Sequence, residues 1–222
     1  MNHKNNYIII LILICYFLFL FIDLFGTDSL INYSVLLKYL SIMLCFLNTL
    51  LIGKNGHDII DTHFLQFALF LALFADLFLL ILNKFIAGIS IFCFIQTIYI
   101  VRHSRFSKLD YKLFAVIGTF FIGFLTITNP FSINLNNEII VLAAIYSFLT
   151  ICSLVTAFGA LKFNLYPKKA AIFILLGVSL LLMCDINVLL FNSFGNPVSG
   201  FLMWFFYLPS QFFLSMSGRK NI

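Results

Sequence analysis

The chain is written in long apolar runs separated by short polar breaks. The runs lie near 7–25, 34–52, 63–82, 85–101, 111–128, 138–158, 170–190 and 200–217. Each approaches the ~20 residues that an α-helix needs to cross a bilayer core. The breaks carry turn-forming residues: Gly53 and Gly56, Asn129–Pro130, Pro167, and Gly195–Asn196–Pro197. The break at Asn83–Lys84 is so short that the third and fourth spans must form a tight antiparallel hairpin. The pattern predicts an all-α, polytopic membrane bundle of about eight transmembrane helices. Little chain is left for connections, so residues 1–222 are expected to form one integral membrane domain. The first run is long for a signal peptide, and Asp23–Gly26 offers no small-residue cleavage site, so it is expected to be retained.

Composition agrees with this reading. Hydrophobic residues make up 63% of the chain and charged residues 9%, against roughly 25% charged in soluble domains. The richness in Phe, Ile, Asn and Lys points to an AT-rich genome, and a bacterial cell membrane is the expected setting. The net charge of +5 gains meaning from its distribution. With eight spans, both termini share a side with Lys4, Lys54, Arg102, Arg105, Lys108, Lys112, Lys162, Lys168, Lys169, Arg219 and Lys220, eleven of the 13 basic residues. The positive-inside rule makes that side, and both termini, cytoplasmic. Topology and contact with anionic headgroups explain these charges, and no nucleic-acid partner is expected. Cys15, Cys45, Cys93, Cys152 and Cys184 all lie in apolar runs, far apart in sequence, and are expected to be packing residues.

Function must then reside in polar residues within the spans, because an ionisable group there costs roughly 2.5–3.5 kcal/mol on insertion scales. Lys38, Asp76 and Asp185 are three such residues. Counted along their spans, all three fall in one slab toward the non-cytoplasmic face. Asn83 follows Asp76, and Asn192 follows Asp185, by seven residues, which places each pair on one helical face. Lys38, Ser41, Cys45 and Asn48 form a polar stripe on span two. Gln96 and Tyr99 share a face of span four, and Tyr207, Gln211 and Ser215 share one of span eight. Such amides and hydroxyls also serve to bond helices together in a bilayer. Asp23 and Glu138 are read as interfacial. His57 and Asp61 have i,i+4 spacing, but with His63 and Asp58 they read as a solvated loop, and no metal is expected.

Span three carries Asp76, six residues, then Asn83; span seven carries Asp185, six residues, then Asn192. Each is followed by a span with a central glutamine, Gln96 or Gln211. This pattern fits a parallel four-plus-four repeat with the two acids in equivalent positions.

The segments FALFLALFADLFLLILNKFIAGISIFCFIQTIYIV, LLGVSLLLMCDINVLLFN and FYLPSQFFLSMS resemble the signature regions of the YhhN family of integral membrane proteins. Lys38 in LLKYL matches the lysine that this family's second span carries. The likeness covers nearly the whole chain. Three positions depart from the family pattern: Ala75 stands where Gly is common, Gln96 where His is common, and Tyr39 where Pro commonly follows the lysine. Family members are described as lysoplasmalogenases, so the resemblance implies hydrolysis of a lysoplasmalogen vinyl ether to a fatty aldehyde and a glycerophospho-base, without a cofactor.

That chemistry suits two carboxyl groups. A proton is delivered to carbon, and water attacks the resulting oxocarbenium ion, as at the related cation in glycosidases. The expected catalytic pair is Asp76 and Asp185. Lys38, shared between them, would make their proton affinities differ. Asn83, Gln96, Tyr99, Asn192, Tyr207 and Gln211 would support the site or hold the substrate, a lysophospholipid-like membrane lipid. The competing classes are a small transporter or proton-coupled carrier, which would expose the acids alternately to both sides, and a non-enzymatic membrane subunit. Oligomeric state is not legible from the sequence.

Overall fold

The computed structural model describes residues 3–105, 118 and 137–220. These hold seven α-helices: α1 (His3–Phe25), α2 (Ile31–Leu50), α3 (Ile59–Asp76), α4 (Phe85–Ser104), α5 (Asn137–Lys162), α6 (Lys168–Phe194) and α7 (Pro197–Met216). Among the described residues, six stretches are long and apolar enough to cross a membrane, from Asn6–Phe25 to Lys168–Phe194. The expected span at 111–128 lies, apart from Gly118, outside the described residues. The helices overrun the apolar runs, as at α4 and α5, because hydrogen bonding continues into the polar flanks.

Helix α7 is not among those six stretches, and its place explains why. It packs on α6, α2, α1 and α3 and buries Ser199, Tyr207, Ser210, Gln211 and Ser215. A helix surrounded by protein can carry polar groups that a lipid-facing helix cannot. Pro209 within α7 frees the carbonyl of Phe205, four residues earlier. The Tyr16 hydroxyl of α1 donates to that carbonyl at 2.9 Å. Gly177 lets α6 and α7 approach closely, since a Cβ there would lie 2.6 Å from Leu214.

The hairpin at Asn83–Lys84 is present, with one feature that periodicity alone does not show. Directly after Asp76 the chain widens into a π-helical turn, Leu77–Ile81. Asn83 then adopts φ 52°, and the Lys84 amide closes the turn onto the Phe78 carbonyl at 2.7 Å. Gly88 of α4 sits against Leu79 of this turn, where a Cβ would collide with the leucine side chain.

The helix ends that carry Lys54, Arg102, Arg105, Lys162, Lys168 and Arg219 form one basic end of the bundle. It is sealed by Arg102 and Asp61, side chains 0% and 1% exposed. Arg102 donates from Nε and Nη2 to the two Asp61 oxygens at 2.9 and 3.0 Å, and from Nη1 to Ser217 at 3.0 Å. The Tyr166 hydroxyl, beyond α5, bonds Asp61 and the Arg102 carbonyl. An isolated bridge from Gly56 to Arg219 ties the α2–α3 loop to the C-terminal segment.

Candidate active site

Asp76 ends α3, and its carboxylate is buried at 3% exposure. The hydroxyl of Tyr207, on α7, donates to it at 2.9–3.1 Å. Asp185, on α6, is half-buried and accepts from the hydroxyl of Tyr146, on α5, at 2.9–3.0 Å. Phe92 of α4 lies between these two pairs, with ring centroids 6.0 Å from Tyr146 and 6.2 Å from Tyr207. Cys184, buried beside Asp185 on α6, lies within range of both carboxylates. The two acids expected at one level therefore do share a level, as two tyrosine–aspartate pairs around one phenylalanine.

Helices α4 and α7 run parallel. Phe92 meets Tyr207 and Arg102 meets Ser217, contacts that share an offset of 115 residues. The same offset sets Gln96 level with Gln211, one turn toward the basic end. Both glutamines are buried. Gln96 lies beside the Tyr146 hydroxyl. Tyr99 is also fully buried and stacks on His103, with centroids 5.7 Å apart and planes 2° from parallel.

The other expected site residues fall elsewhere. Lys38 does not bridge the two acids. Its ammonium pairs with Asp23 at 2.8 Å, with the side chains 11% and 18% exposed, and lies 5.0 Å from the Trp204 ring and 5.7 Å from Phe19. Ser34 donates a second hydrogen bond to Asp23. Asp23, read as interfacial, is therefore the counter-ion of Lys38. Among the described residues, Lys38 is linked to Asp76 through rings, since Trp204 packs edge-on against Tyr207 at 5.3 Å.

Asn83 is exposed in the hairpin turn, because the π turn breaks the α-helical spacing that aligned it with Asp76. Asn192 is exposed and donates to its own Val188 carbonyl. The structure joins neither asparagine to the carboxylates. At the basic end, Asp61 pairs with Arg102 while His57 bonds the Ser217 carbonyl through Nε2 at 3.0 Å, so the two do not act as a chelating pair. Burial holds the His57 imidazole below its ordinary value. Desolvation raises the half-buried Asp58 carboxyl, but the Asp61 amide and Arg105 together hold it below the usual carboxylate range.

Tyr146 was not singled out in the sequence. Its match in depth shows only with the observed helix ends: it lies nine residues into α5, and Asp185 lies nine residues from the end of α6. The Asp23–Lys38 pair offered no local signal, because it joins two helices.

Searches among curated proteins and among solved structures return no match. The family comparison does, and it spans the two tyrosine–aspartate pairs and the helices that hold them: over residues 33–218, the chain belongs to the YhhN family.

Proposed function

We propose that this chain is an eight-span lipid hydrolase of the lysoplasmalogenase type, with both termini on the basic, cytoplasmic side. One observation carries the reading. Two carboxylates from different helices sit at one level inside an apolar bundle, each held by a tyrosine hydroxyl. A structural role would need one acid with one counter-ion, and the nearby lysine is already paired with Asp23.

The reaction needs little else. One carboxyl gives its proton to the vinyl carbon remote from oxygen, leaving an oxocarbenium ion on the ether carbon. The other carboxylate stabilises that cation and takes a proton from the attacking water. The resulting hemiacetal collapses to a fatty aldehyde and the glycerol hydroxyl of the headgroup fragment. Tyr146 and Tyr207 orient the two carboxyls. A cleft of about 480 Å³ lies between α4 and α5, lined by Ile86, Ser90, Val141, Leu142 and Ile145, with Glu138 at its edge. Its last lining residue on α5, Ile145, precedes Tyr146 in the chain, and the open groove suits a single acyl chain entering sideways from the bilayer.

The test uses purified protein in lipid nanodiscs with a vinyl-ether lysophospholipid. Time-dependent aldehyde release is expected, with none from the saturated alkyl-ether analogue, which cannot be protonated at carbon. No aldehyde above a protein-free control removes the reading.

A further inference from the structure

A second feature lies between the carboxylates and the basic end. Among the described residues, Gln96, Tyr99, His103, Ser153 and Gln211 are all fully or almost fully buried, yet none of their side-chain polar atoms makes a hydrogen bond of ordinary length and angle. They are not scattered. Gln96, Tyr99 and His103 follow one face of α4, and the register of α4 against α7 sets Gln211 beside the level of Gln96. Ser153 of α5 adjoins His103. From Gln96 to His103 the strip descends about 10 Å at the rise of an α-helix. Its upper end touches the Tyr146 hydroxyl that holds Asp185, and at its lower end His103 follows Arg102, the partner of Asp61, in α4.

Polar atoms buried without partners are rare in folded proteins. A cluster of amide, hydroxyl and imidazole groups, each able both to give and to accept, is the kind of lining that holds internal water. Packing explains none of these side chains, because leucine or phenylalanine would fill the same volumes without leaving donors unmade.

We propose that this strip binds a file of internal water between α4, α5 and α7, and that the file supplies the water consumed at the carboxylates. Its role as supplier rests on the hydrolase reading; the hydration does not. The file keeps water within one turn of Asp185 while the lipid-facing surface stays apolar. Gln96 and Gln211 hold its upper members, and Tyr99 and His103 its lower ones. It ends at a closed ion pair rather than an open pore, so it forms a dead-end store.

The test is hydroxyl-radical footprinting of the full chain in nanodiscs, using radiolysis of water and mass spectrometry. Phe19, fully buried among Tyr16, Trp204 and the Lys38 ammonium that Asp23 already pairs, serves as the reference outside the strip. With rates corrected for intrinsic reactivity, Tyr99 and His103 should be oxidised at least tenfold faster than Phe19. The double variant Gln96→Leu/Gln211→Leu should reduce Tyr99 labelling severalfold. Tyr99 and His103 labelled as slowly as Phe19 in the parent overturns the proposal, whether or not the double variant folds. Parental aldehyde release, measured in parallel, separates the two claims. Labelling without aldehyde keeps the file and removes the hydrolase; aldehyde without labelling does the reverse.

Discussion

Replacing Asp61 by Asn tests the buried lock at the basic end. Asp61→Asn preserves shape but removes the charge that Arg102 faces from two nitrogens, at 2.9 and 3.0 Å. Both side chains are closed to solvent, so Arg102 keeps its charge without the Asp61 counter-charge, held by the remaining amide oxygen, Ser217 and the Tyr166 ring. Breaking one half of a buried pair costs about 3–5 kcal/mol. Coulomb's law gives a similar figure, about 4 kcal/mol at ~4 Å with an effective dielectric constant of ~20. For a chain of this size, ~1 kcal/mol moves the midpoint by about 2–4 °C, so Asp61→Asn should lower it by roughly 6–20 °C. The assay is thermal unfolding in detergent, read from the single tryptophan, Trp204. The double variant Asp61→Leu/Arg102→Met should recover most of the loss, because replacing both ions with apolar side chains leaves no uncompensated charge. An Asp61→Asn midpoint within 2 °C of the parent, or a double variant worse than either single, refutes the reasoning.

Other consequences are equally direct. Tyr146→Phe and Tyr207→Phe each remove a hydroxyl from a buried or half-buried carboxylate, and each should cost about 1–3 kcal/mol and slow aldehyde release, read by melting and by single-turnover kinetics. Lys38→Met and Asp23→Asn should lower stability singly but recover jointly, because each is the other's counter-ion; loss of turnover in Lys38→Met alone, with Asp23→Asn unaffected, would restore Lys38 to the carboxylates. Burial depresses the proton affinity of His57 below its ordinary 6.5, so the folded chain binds fewer protons than the unfolded one. Stability should therefore fall as pH drops below about 6.5, and His57→Asn should flatten that slope in melts across pH.

Much of this architecture is legible in the sequence because a bilayer imposes length and polarity on every span. Depth is legible too: rise per residue placed Asp76 and Asp185 at one level, and Phe92 joins them there. The stripe of Lys38, Ser41, Cys45 and Asn48 is buried along α2 as its spacing predicts. Lateral neighbours are not legible, because depth does not say which helices touch. Depth therefore groups Lys38 with the acids at its own level, while its partner sits at the end of the helix before it. Asn83 illustrates a second limit. Helical spacing assumes an unbroken helix, and the turn at Leu77–Ile81 breaks it. Arg102 and Asp61 illustrate a third: at span ends, topology already explains a charge, so nothing marks it as buried. The expected four-plus-four repeat finds no support in the partners of the two acids, since Asp76 takes its tyrosine from α7 and Asp185 from α5.

The central claim is that Asp76 and Asp185 act as one acid–base pair. The most direct measurement is the rate of aldehyde release from vinyl-ether lysophospholipid by purified Asp76→Asn, Asp185→Asn and the double variant, each checked for folding by the Trp204 melt. If the two carboxyls work as a unit, each single variant loses at least 100-fold, within the ~10²–10⁴-fold range of a lost general acid or base. The double variant then loses little more than the worse single. Folded single variants that keep near-parental rates contradict the claim.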